Sequence, residues 1–355
     1  MSTSRLPALD VARGMAALAV VLFHFTCLNE AVREGMPSLA MLTTYGYLGV
    51  HLFFLISGFV IFMTLGGTSG AWDFFAARAS RLYPAFLLSI VITLAGVYIL
   101  QGESIFSIRD ILLNLTMFPG TLGAKLINPA YWTLSFEIVF YGIVFLSIFL
   151  LGKSSVMPVV IVWFTLSAIN IYTGLGVIDK LLILKWAPLF SGGAALYLAT
   201  RETAWRRYAY LLLYFMTMPI ASIYALEAIT EQKAHFNFWQ SNDTIIVSIL
   251  AALYLLMTFI AFRPNSMSWL PPRFVELCGG GSYILYLIHE RIGGLMITML
   301  YPSLGVISVI LVIILMIVAA ALIYIYFDKP VQRKLRTIRK QALASFSTNP
   351  TTTSS

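Results

Sequence analysis

Apolar residues along this chain fall in long unbroken runs, not in the alternation of a half-buried strand or the narrow stripe of a soluble helix. A bilayer core about 30 Å thick requires about 20 such residues per helical crossing. Reading the runs between charges and turn residues gives ten segments, near 12–28, 46–65, 83–101, 131–151, 156–173, 181–199, 208–227, 244–262, 282–301 and 305–327. The stretches 208–226, 244–262 and 292–327 contain no Asp, Glu, Lys or Arg. The first segment is short, and the sixth carries Lys185 and Pro188. The pattern predicts an all-α integral membrane protein of about ten transmembrane helices, one domain over 1–330. A tail over 331–355, basic and then polar, is expected to end in disorder.

Composition narrows the class. Of 355 residues, 59% are hydrophobic and 11% charged, against about 45–50% and about 25% in soluble domains. A soluble enzyme, a secreted disulfide scaffold and a disordered chain are therefore excluded. A net charge of +8 invites a nucleic-acid reading, but the cations sit at the ends of apolar runs, where a membrane explains them. With ten spans and a cytoplasmic N-terminus, 16 of the 23 Lys and Arg fall on the cytoplasmic side, six on the other, and Arg291 inside a span. This split predicts that both termini are cytoplasmic. The basic start has no small-residue cleavage site after it, so the first run is expected to be a retained helix. Cys27 and Cys278 fall on opposite sides in this topology, so no disulfide is expected between them and neither has a metal ligand at a useful spacing.

Ionisable residues within apolar spans are costly and point to function. Here they are His24, His51, Glu137 and the triplet His289, Glu290, Arg291. At about 1.5 Å per residue, His24 lies roughly 18 Å above the cytoplasmic face, with His51 and Glu137 roughly 21–22 Å up. These three are expected in one layer. The plainer alternatives are packing histidines, a structural carboxylate, and an Arg291 paired with Glu290 or Glu137. After the second span, GGTSGAWDFFAARASRLYPAF places Arg78 and Arg81 three residues apart on one helical face. That face suits anionic lipid, or a clamp on a phosphorylated cytoplasmic ligand.

Five segments together resemble the membrane-bound acyltransferase 3 family, bacterial enzymes that O-acylate carbohydrates. RLPALDVARGMAALAVVLFHF carries Asp10, Arg13, Gly14 and His24, and GYLGVHLFFLISGFVIF carries Gly49, Phe53, Phe54, Ser57, Gly58 and Phe59. FFAARASRLYPAF supplies Arg78, Arg81 and Pro84. YWTLSFEIVFY supplies Trp132, Leu134, Glu137 and Tyr141, and GGSYILYLIH supplies Ser282, Tyr283, Tyr286 and His289. The matches run from residue 5 to about 330. Two positions depart from the pattern: His51 stands where many relatives carry Asp, and Asp328 in FDKP replaces a usual Glu. The esterase-like domain that some relatives append is not expected here, which makes this the stand-alone form.

The resemblance implies transfer of an acyl group, commonly acetyl, from cytoplasmic acyl-CoA to a glycan hydroxyl at the bacterial inner membrane. It implies catalytic roles for His24, Glu137 and Arg13, and donor binding by Arg78, Arg81 and Arg13. Asp10, Ser57, Trp132, Ser135 and His289 are the implied acceptor-side residues. His24 acts as general base or as acyl relay, with Glu137 as its orienting partner. Acyl-CoA is the donor, no metal or nucleic acid is expected, and lipid surrounds the spans. Both a homo-oligomer and a separate partner transferase stay open. A many-spanning transporter or flippase is the alternative, although it tends to show internal repeats and broken half-helices.

Overall fold

The computed structural model describes residues 6–103, 105–235 and 242–348, and side chains except those of 231–235 and 345–348. Arg5, the side chain of Lys233 and the polar end 349–355 therefore lie outside the described residues. Within them the chain is helical, with no strand. The principal helices are α1 (Pro7–Thr26), α2 (Gly49–Leu65), α3 (Ala71–Gln101), α4 (Trp132–Leu151) and α5 (Val156–Thr173). They continue with α6 (Ala187–Arg201), α7 (Ala204–His235), α8 (Asp243–Phe262), α9 (Pro272–Leu304), α10 (Val306–Ile323) and α11 (Lys329–Thr348).

Nine helical stretches among the described residues are long and apolar enough to cross a membrane. The sixth expected segment, 181–199, is the exception. Its regular part is the 15-residue helix α6, about 22 Å long at the usual rise and entered directly from a 3-10 turn at Leu184–Trp186. It can be shorter than the lipid-facing spans because it is buried among other helices and does not face lipid. Gly58 of α2 and Gly193 of α6 explain how close the two lie. A Cβ on Gly58 would strike the backbone carbonyl of Phe190, and one on Gly193 would strike that of Leu55. Small residues allow such approach inside a membrane, where packing takes over from the hydrophobic effect.

The loop expected after the second span is also different. Residues 71–101 form one helix of 31 residues, so the segment carrying Arg78 and Arg81 runs directly into the third span. Large apolar side chains at Ile99, Leu150 and Leu255 are mostly exposed, as lipid-facing positions require. The basic half of the expected tail is α11, reached from α10 through a π-turn at Tyr324–Asp328.

α1 and α9 run parallel with matched register. A Cβ on Gly14 would press on Cys278, one on Gly279 would strike Asp10, and one on Gly293 would strike Phe25. Three glycines thus let these helices touch from one end to the other. The same register separates the two cysteines: Cys278 packs near the start of α1 and Cys27 follows its end.

Candidate functional site

The glycine-lined contact of α1 and α9 brings together residues 265 apart in sequence. His24 Nδ1 lies 2.7 Å from His289 Nε2. His289 begins a π-turn, His289–Gly293, the kind of local widening that recurs at functional sites. Its Nδ1 faces two acceptors, the carbonyls of Tyr286 at 2.9 Å and Leu285 at 3.1 Å. That nitrogen must carry a proton to donate. In the neutral pair His289 Nε2 is then the acceptor, His24 Nδ1–H the donor, and His24 Nε2 is left with a free lone pair. Glu290 Oε2 stands 3.8 Å from His24 Nδ1.

The carboxylate beside His24 is therefore Glu290, not Glu137 as expected. Glu137 accepts a hydrogen bond from Ser57 at 3.2 Å and a short one from the Tyr141 hydroxyl. His51 is elsewhere again, its ring 5.2 Å from that of Trp186. Similar depth on three helices did not bring these groups together, because depth leaves rotation about each helix axis open. Arg291 pairs with neither acid by hydrogen bonds: it donates to the carbonyls of Leu126 and Ile127, each at 3.2 Å. Asn128 adds a 2.8 Å bond to the Leu287 carbonyl, so segment 126–128 braces α9 on both sides of His289.

That brace has its own support. Ser107 and Asp110 form a reciprocal capping box at the start of the short helix Ile108–Asn114. Asp110 also accepts from the Lys125 backbone at 2.9 Å, and Asn114 accepts from that of Ile127 at 3.1 Å. The Ser107 hydroxyl, with backbone N–H donors, holds the Asp110 carboxyl below the usual carboxylate range.

A basic pocket of about 750 Å³ opens where α1 begins, α2 ends and α3 begins. Arg13, Arg78 and Arg81 line it, as does Glu137. Another wall is α11, with Lys329, Arg333, Arg336, Arg339 and Lys340. Sequence reading missed this wall, although the basic residues recur there at three- and four-residue intervals, the spacing of one helical face. A narrower cavity of about 60 Å³ shares Arg13, Ser57, Glu137 and Tyr283 with the pocket and reaches Tyr286. The Tyr286 ring is 5.8 Å from the His289 ring. A polar mouth thus narrows to a tight neck that ends against Tyr286, the ring next to His289.

The remaining expected residues are placed as follows. Asp10 lies against Gly279 at the α1–α9 contact. Trp132 is partly exposed and its ring is 5.7 Å from that of Trp186. Ser135 is not brought to the site by its hydroxyl, which donates to the Trp132 carbonyl one turn back at 2.6 Å. His24, His289 and Glu290 could also be read as metal ligands, since their atoms lie within 4.8 Å of one another. Two histidine nitrogens on one tetrahedral ion stand about 3.3 Å apart, whereas these two are at hydrogen-bonding distance, 2.7 Å. The arrangement suits proton movement better than ligation.

These features define a multi-spanning all-α membrane protein with a basic pocket and, beyond Tyr286, a buried histidine pair. The chain belongs to the acyltransferase family: the family profile described as an acyltransferase domain matches residues 6–326. It is 33% identical over 147 residues to an acyltransferase, MdmB, of Streptomyces mycarofaciens, covering 39% of this chain and 38% of that protein. It is 28% identical over 112 residues to nodulation protein 10 of Rhizobium leguminosarum bv. viciae, 26% of this chain and 30% of that one. It is 30% identical over 115 residues to the exopolysaccharide production protein ExoZ of Rhizobium meliloti, 30% of this chain and 36% of that one. The matches thus span 30–38% of the length of these curated relatives. No solved structure matches the chain.

Proposed function

We propose that this protein transfers an acyl group, acetyl in the simplest case, from acyl-CoA in the cytoplasm to a hydroxyl of an exported or surface glycan. The observation that carries the reading is the continuity from the basic pocket, through the Arg13–Glu137–Tyr283 neck, to Tyr286, whose ring abuts that of His289 in the His24–His289 pair. CoA is polyanionic, and guanidinium groups suit its phosphates. Its slender arm fits the neck, which excludes the nucleotide. Arg13 and His24 are eleven residues apart on one helix, about 16 Å, so one end of the donor can sit at the arginines while the thioester reaches the histidines. Two relatives, an acyltransferase and an exopolysaccharide production protein, agree with an acyl group and a glycan.

In this reading His24 Nε2 takes the proton of the acceptor hydroxyl as its oxygen attacks the thioester carbonyl. The tetrahedral intermediate collapses with cleavage of the C–S bond, and the thiolate leaves as CoA, taking the proton from the imidazolium. His289 fixes the tautomer of His24, and Glu290 offsets the positive charge that develops. The ester is released on the side where α1 ends, near Trp132 and Trp186. Incubating purified protein with labelled acetyl-CoA and candidate glycans tests the reading. Label in the glycan supports it; no transfer and no acyl-CoA hydrolysis, with the glycan instead carried across vesicles, would replace it with transport.

A further inference from the structure

Helix α11 turns its cations inward. Lys329, Arg333, Arg336 and Lys340 follow one another at three- or four-residue spacing and line the basic pocket. A helix that only lay on anionic lipid would present such a stripe to the headgroups. Here the stripe faces a cavity whose one lining carboxylate is Glu137. Three of the pocket's cations have acidic partners: Arg81 with Asp328 at 3.7 Å, Lys329 with Glu276 at 2.5 Å, and Arg339 with Asp73 at 3.3 Å. Arg333, Arg336 and Lys340 have no ion-pair partner among the described residues. Across the cavity, the buried Nε atoms of Arg13 and Arg78 have no hydrogen-bond partner. Like charges gathered around one cavity repel, and an anion of several charges removes that cost.

We infer that α11 is one wall of the donor site, with Arg333 and Arg336 gripping the phosphates of a free nucleotide thioester together with Arg78 and Arg81. The inference rests on the donor reading above and adds the α11 residues that hold the donor. An acyl group on a carrier protein presents a single phosphodiester on a protein surface too broad for a concave pocket of about 750 Å³. A small donor with several phosphates uses the cations on both walls. The Arg339–Asp73 contact then joins α11 to the start of α3, so the two walls are held at a fixed separation.

The test uses the full chain in neutral detergent without anionic lipid, with coenzyme A and adenosine 3′,5′-bisphosphate as calorimetric probes. Arg333→Ala and Arg336→Ala should each weaken binding of both probes by about tenfold or more. Both side chains are exposed, so the melting temperature should not change. Arg333→Lys, which keeps the charge, should recover most of the affinity, and the acceptor KM should stay as it was. Unchanged affinity in both alanine variants would overturn the inference and leave the donor reading standing. An effect seen only in anionic vesicles would assign the stripe to lipid and overturn it too. Failure of the unsubstituted protein to bind coenzyme A would remove the donor reading itself, and this inference with it.

Discussion

His24 donates through Nδ1 to Nε2 of His289, and the second ring is anchored in turn on the carbonyls of its own helix. The free nitrogen of His24 follows from that chain of donors. His24→Ala should therefore abolish transfer while the protein stays monodisperse. His289→Phe should lower kcat with little change in donor KM, because it unfixes the tautomer without removing the base. The double variant should be no worse than His24→Ala alone, as for groups acting as one unit. Substantial turnover by His24→Ala in a transfer assay would refute the mechanism.

Glu290 and Glu137 have different neighbours, His24 for the first and Ser57 with Tyr141 for the second. Glu290→Gln should lower kcat. Glu137→Gln should act chiefly on the donor KM, since Glu137 lines the pocket and its neck. The two effects should add to within about 0.5 kcal/mol, as for sites without shared partners. Strong coupling in a double-mutant cycle would place both acids in one network and contradict the geometry.

Arg78 donates to Thr64 at 3.2 Å and lines the pocket with its Nε unused. Arg78→Ala should raise the donor KM about tenfold, the loss expected for one charge-assisted hydrogen bond of about 1.5–3 kcal/mol. Steady-state kinetics with varied acetyl-CoA reads this directly. An unchanged donor KM would return Arg78 to lipid contact.

Asp110 gives a pH dependence with a definite sign. Its carboxyl is held below its ordinary value by Ser107 and backbone donors. Its contribution to stability is therefore fully present above the unfolded value, about 3.9, and is lost as pH falls through the lower folded value. Asp110→Asn should lower the melting temperature at neutral pH, and the gap from the unsubstituted protein should begin to narrow below about pH 4 and close below the lowered folded value. A gap that does not narrow as pH falls would show that the carboxylate charge is not what holds the 105–128 loop.

Orientation is tested by thiol labelling. The split of basic residues puts the start of α1 and Cys278 on the cytoplasmic side and the exposed Lys180 on the other. In a background without the native cysteines, Lys180→Cys should react with an impermeant reagent in intact cells. Cys278 of the unsubstituted protein should react only after lysis. The reverse pattern would invert the topology.

The spans and the family were legible because each depends on local sequence: twenty apolar residues in a row, or a motif such as GGSYILYLIH. His24 and His289 were both singled out from such motifs, but not as partners. Their contact depends on Gly14, Gly279 and Gly293 holding two helices in register, a property of the fold that no local window carries. Glu137 was assigned to His24 from depth and motif position, and rotation about the helix axis took it to Ser57. The shortness and burial of α6 were not legible, because buried and lipid-facing helices have the same apolar composition. The stripe of α11 was visible in the spacing of its cations, yet the same cations also satisfy the charge rule for loops, and that explanation concealed the pocket.

The pairing of α1 with α9 also fixes when the protein becomes competent. A ribosome delivers His24 with the first helix and His289 only 265 residues later. Eight crossings can be threaded into the bilayer before the imidazoles meet, so an arrested or truncated product holds a base with no tautomer-fixing partner. Competence thus waits on α9, and α11, which follows it in the chain, completes the wall of the basic pocket.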